Sequence, residues 1–138
     1  MNIDKNISIF DGRFKAVRPA VLLLDVLCDL LYMDASPYKI GTNTLAITEK
    51  ALVEIMEDSD EPLEKTALNS RIRRLIYWRA RLELNGAIKY QRSNVGKYVI
   101  NPLYKFNGAE KDFERAILIW NTFKPHLTPR IHNKIEFF

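Results

Sequence analysis

Residues 66–100 read TALNSRIRRLIYWRARLELNGAIKYQRSNVGKYVI, and the change of period inside this stretch decides the fold. Leu68, Ile72, Leu75, Ile76 and Leu82 recur at helical spacing. Asn85-Gly86 ends the run, with Gly86 free to take the left-handed conformation that closes many helices. Two short β-prone runs come next, Ala87-Ile88-Lys89-Tyr90-Gln91 and Lys97-Tyr98-Val99-Ile100. The loop between them, Arg92-Ser93-Asn94-Val95-Gly96, has hairpin length and turn-forming residues. The sequence therefore predicts a helix that runs straight into a β-hairpin, the outline of a recognition helix followed by a wing.

Charge is distributed unevenly around this unit. Residues 66–106 hold nine of the 21 Lys and Arg side chains and one acid, whereas residues 48–65 hold two bases and seven acids. A surface that concentrates positive charge attracts polyanions, and nucleic acid heads that class. With Arg71 at zero and 100° per residue, Leu82, Leu75, Ile72 and Ile76 fall between about 20° and 140°. Arg73, Tyr77, Arg81 and Arg74 fall between about 200° and 300°, opposite the core. Arginine forks on such a face match guanine edges and phosphates in a major groove. Arg71 is read as part of the same basic set. Lys89, Arg92, Asn94 and Lys97 of the hairpin suit backbone or minor-groove contact. The competing reading is a solvated face that keeps the helix soluble. It fits any one of these arginines, but ordinary surfaces mix both signs.

Outward from this unit, Pro19 suits the first turn of a helix whose stripe is Val17, Val21, Leu24, Cys28 and Leu31. That helix ends near Met33, and 38–47 reads as one short strand with an irregular middle at Gly41. Thr48 is placed to cap a second helix over 49–58. The third starts near Pro62, which would make it about 36 Å long at 1.5 Å per residue, unless Asn69-Ser70 caps a fresh start. A last amphipathic helix covers 109–124, with Phe113, Ala116, Ile117, Trp120 and Phe123 on one stripe. The expected fold is α+β, mainly helical: a winged helix-turn-helix with an additional C-terminal helix. Its divisions are an N-terminal arm over 1–16, the winged domain over 17–108, and a C-terminal helix and tail over 109–138. Trp120 and Phe123 serve either the domain core or a dimer seam.

Bulk properties exclude several classes. At 138 residues, 47% hydrophobic and 28% charged, the chain fits one folded domain. No apolar run approaches the ~20 residues of a membrane span, and the first residues lack a secretory layout, so a cytoplasmic protein is expected. Cys28, the single cysteine, reads as a small buried hydrophobe. The acids Glu54, Glu57, Asp58, Asp60, Glu61 and Glu64 lack calcium-loop spacing, and His126 and His132 lack metal-ligand companions. No nucleophile elbow, phosphate loop or cofactor motif is present, so no enzyme, metal or cofactor is expected. Arg79 falls at about 80°, within the apolar stripe, and needs a partner there. Glu83 one turn later, or an acid from elsewhere in the fold, would supply it.

The wing strand with its continuation, Gly96-Lys97-Tyr98-Val99-Ile100-Asn101-Pro102 and then Asn107-Gly108, is similar to the plasmid RepL replication proteins of Gram-positive bacteria and related phage and plasmid winged-helix proteins. The resemblance covers about residues 17–108. It implies a protein that binds double-stranded DNA at a plasmid or phage origin, or at its own promoter. The C-terminal helix lies outside the resemblance; a homodimer through it is expected because winged helices usually place an extra terminal helix where dimers form. Arg79 departs from the resemblance, standing where a core leucine is usual. The alternative is a winged-helix interaction module that binds a host replication or transcription factor. Its evidence is the acidic second helix, the apolar C-terminal stripe and the ending Ile135-Glu136-Phe137-Phe138, which loosely resembles a bacterial sliding-clamp-binding peptide without its glutamine.

Overall fold

The computed structural model describes residues 1–4, 18–58 and 60–125. Val17, His126, His132 and the 134–138 ending lie outside them, as does most of the 1–16 arm. About half of the described residues are helical, and the remainder build two small antiparallel sheets, so the class is α+β.

α1 (Arg18–Tyr32) is the central helix of the core. Leu23, Leu24, Leu27 and Leu31 are fully buried, with Ala20, Cys28 and Leu30 beside them. The buried face is broader than the expected stripe, and Val21 lies at its half-buried margin. Each of those leucines contributes about 2 kcal/mol by leaving water. Asp25 and Asp29 face outward, as expected.

The expected single strand over 38–47 is instead a hairpin, β2 (Lys39–Gly41) and β3 (Thr44–Ala46). Asn43 makes the turn, with φ 55°, and is buried. Its amide donates to the carbonyls of Ile100 at 3.1 Å and Lys105 at 2.9 Å, and its oxygen accepts from the Tyr32 hydroxyl at 3.0 Å. An asparagine tolerates this backbone better than most residues because its short polar side chain can bond locally. Here those bonds tie the turn to the far side of the domain.

Thr48 caps α2 (Glu49–Glu57) by accepting from the Ala51 N–H at 3.1 Å. That cap is worth about 1 kcal/mol. α3 (Lys65–Leu84) is one unbroken helix of 20 residues; it starts three residues later than expected, and neither Asn69 nor Ser70 caps a second start. Its close is as expected: Gly86 has φ 72°, Gly86 N–H bonds the Glu83 carbonyl, and Ala87 N–H bonds that of Leu82. This pair of bonds satisfies carbonyls that would otherwise be left open, and it aims the chain into the next strand.

β4 (Ile88–Gln91) and β5 (Lys97–Ile100) form the expected hairpin, and β5 also pairs with β3. The four-stranded order is β2-β3-β5-β4. A second, two-stranded sheet joins β1 (Asn2–Asp4) to β6 (Lys105–Asn107), so the first residues of the expected arm are paired rather than detached. α4 (Glu110–Thr122) closes the described chain. Phe113 meets Phe106 edge-on at 5.2 Å and Ala116 is fully buried.

Arg79 is 4% exposed in the core. Of the two acids expected to meet it, the fold supplies the distant one, Glu49, at 3.7 Å. The guanidinium also stacks on Tyr90 at 3.7 Å and donates to the Tyr98 hydroxyl at 3.3 Å. Burial opposes its charge, but Tyr98, Tyr90 and Glu49 more than offset this, so its pKa lies above the ordinary value. The Tyr98 phenol is itself pushed up to about 12 by burial, with Arg79 pulling the other way.

Candidate nucleic-acid interface

α3 is held from behind by α1 and α2, so its outward side is decided by its inward one. Leu75, Arg79, Ala80 and Leu82 are buried, while Arg73 and Arg74 are exposed. Tyr77 and Arg81 are half-buried on the same side, with the Arg81 guanidinium 5.4 Å from the Tyr77 ring centre. These four therefore share one face. Glu83, the one acid of α3, falls at about 120° on the helical wheel and is not on it.

The other members of the expected set are divided. Arg92, Asn94 and Lys97 are exposed on the hairpin. The loop that carries them is braced by a hydrogen bond from the Ser93 hydroxyl to the Val95 carbonyl. Arg71 is turned aside: its Nε lies 2.9 Å from a carboxylate oxygen of Glu57 at the end of α2. Lys89 is also engaged within the protein. Its ammonium donates to the Trp120 carbonyl at 2.5 Å and lies 4.6 Å from that residue's ring centre. Cations near a helix C-terminus are favoured by its dipole, so Lys89 anchors the end of α4 to the hairpin. Gln91 adds a bond to the Lys124 carbonyl at 3.3 Å.

Three residues missed in the sequence belong to the same face of α3. Thr66, Asn69 and Ser70 are exposed and fall at about 220°, 160° and 260° on the wheel, in line with Arg73 and Tyr77. The helical wheel carries that signal, but neutral polar groups leave no charge imbalance in the sequence to mark them. Side chains near the start of a groove-reading helix have the shortest reach to base edges, and asparagine matches adenine with two hydrogen bonds.

The chain matches no known family model, no curated protein and no solved structure. Among the described residues, no helix is long and apolar enough to cross a membrane.

Proposed function

We propose that the chain is a winged helix-turn-helix protein with an additional C-terminal helix, and that it binds double-stranded DNA sequence-specifically. One observation carries this reading: one face of α3, free of the helix's own acid, carries exposed Arg73 and Arg74 beside half-buried Tyr77 and Arg81, and the helix leads directly into a hairpin bearing Arg92, Asn94 and Lys97. The element order and the pairing of β3 with β5 and of β5 with β4 are compatible with the winged plan. Phosphates supply the affinity, Asn69 reads base edges, and the hairpin follows the backbone. The protein acts by binding, without catalysis or cofactor, in the cytoplasm. The likeness of its wing strand to plasmid replication proteins points to replication initiation or transcription regulation on a mobile element.

Fluorescence anisotropy on duplex DNA from upstream of its own gene, against an unrelated duplex, tests this. If Arg73, Arg74, Arg81, Arg92 and Lys97 all reach phosphates, log affinity falls against log salt with a slope of about −4 to −5. Replacing Arg73 and Arg74 with Ala makes that slope shallower by about two. Affinity that stays flat from low to physiological salt refutes the proposal.

A second reading rests on α4. Leu118 is 63% exposed, and Ile117, Ile119, Trp120 and Phe123 are only half-buried, leaving apolar surface on this helix. It fits a homodimer seam, or a docking face for a host replication or transcription protein. Leu118→Lys followed by sedimentation separates the two: a shift to monomer supports the dimer, and an unchanged mass leaves the face to another protein.

A further inference from the structure

Where the start of α1, the second half of α2 and the middle of α3 meet, a cleft of about 140 Å³ opens to solvent. Val53, Met56, Leu75 and Trp78 give it apolar walls. Val53 and Leu75 are each 4% exposed, so its floor is fixed by the packed core. An apolar cavity of about 150 Å³ accommodates a benzene ring, which sets the size of occupant the space can take.

Charge at the rim narrows the class. Glu57, Arg71 and Arg74 border the cleft. The Glu57 carboxylate is neutralised by Arg71 at 2.9 Å. Arg74 is exposed and has no ion-pair partner among the described residues. Among the described residues, the rim therefore presents one uncompensated cation beside a ring-sized apolar floor. A cation would be repelled, an inorganic anion would leave the apolar walls unused, and a neutral ring would leave the guanidinium unused. We infer that this cleft binds a small monocyclic aromatic acid, its ring against Trp78, Leu75, Val53 and Met56 and its carboxylate paired with Arg74.

The chain has two tryptophans, so Trp120→Phe leaves Trp78 as the sole indole reporter. In that full-length background, sodium benzoate is titrated against sodium chloride at constant ionic strength, with benzamide as the uncharged isostere. Benzoate is expected to change Trp78 emission saturably in the millimolar range and to raise the thermal midpoint in step with occupancy. Benzamide is expected to bind about tenfold more weakly, the loss of one charge-assisted hydrogen bond. Arg74→Gln, an exposed substitution whose folding the same melt verifies, should reduce benzoate to the benzamide level and leave benzamide unchanged. An unsaturable benzoate response, equal affinity for both probes, or full benzoate affinity in Arg74→Gln overturns the inference. None of these readouts involves nucleic acid, so the result is independent of the DNA proposal.

Discussion

Replacing Arg79 with Met tests how a guanidinium comes to be buried in an otherwise apolar core. Methionine keeps most of the stem and removes the charged head. The head's desolvation cost of several kcal/mol disappears with it, along with a stack on Tyr90 and a bond to Tyr98. The groups left behind decide the sign. The Glu49 side chain is 35% exposed, but its Oε2, the atom 3.7 Å from Arg79, is buried without a hydrogen-bond partner and loses its compensating charge. The Tyr98 hydroxyl cannot regain water, because the residue is 0% exposed, and an orphaned buried hydroxyl costs about 1–3 kcal/mol. Arg79→Met should therefore lose about 2 kcal/mol, which lowers the urea midpoint by about 1 M with an unchanged slope. Tyr98→Phe alone should lose about 1 kcal/mol, since its bond at 3.3 Å is long. In the double variant the guanidinium and the phenol hydroxyl are both gone, so the loss should be clearly smaller than the sum of the two single losses, the remainder coming from Glu49 Oε2. Equilibrium urea unfolding followed by far-ultraviolet circular dichroism measures all three. Strictly additive losses, or an Arg79→Met protein as stable as wild type, would refute the view that Arg79 exists to satisfy Tyr98.

Gly96→Ala would place a methyl 2.7 Å from Tyr90 Cε2, a ring already clamped by Arg79, and should cost about 1–3 kcal/mol. Gly41→Ala, whose nearest atom would be 3.8 Å away, is the matched control and should cost less than about 1 kcal/mol by thermal melt. At Asn43, with φ 55°, Ala removes both amide bonds and strains the turn, whereas Gly removes only the bonds. Ala should therefore be the worse of the two by about 1 kcal/mol, and equal midpoints would dismiss backbone strain there. The Asp25 carboxyl is raised above 3.8 by burial and by Asp29 and Asp4, against Lys105. The folded state then holds this proton more tightly than the unfolded chain. Its penalty is absent below 3.8, and it grows as pH climbs through the folded value. Because this carboxyl is mostly exposed and solvent screens it, Asp25→Asn should stabilise the protein only slightly at neutral pH and by nothing near pH 3 in paired melts.

The local features were legible because their causes lie within a few residues. Thr48 caps α2 through a bond to Ala51, three residues on, and Gly86 closes α3 with bonds to Glu83 and Leu82. The outward arginines of α3 followed from periodicity, since the core stripe fixes the opposite side. The β2–β3 hairpin was not legible: each strand has three residues, and its turn depends on bonds from Asn43 to Ile100 and Lys105. The pairing of Asn2–Asp4 with Lys105–Asn107 leaves no local trace for the same reason.

Spacing along the chain was enough to mark which side of α3 is polar, where that helix stops and that a hairpin comes after it, because those properties act over a single turn. Which charged groups stay available was decided only by folding. Arg71 is claimed by Glu57, Lys89 by the end of α4, and Arg79 by Glu49, Tyr90 and Tyr98, whereas Arg73 and Arg74 remain outside. A charge binds whatever partner lies within about 4 Å, and neighbours at that distance are set by how helices and strands stack rather than by their order.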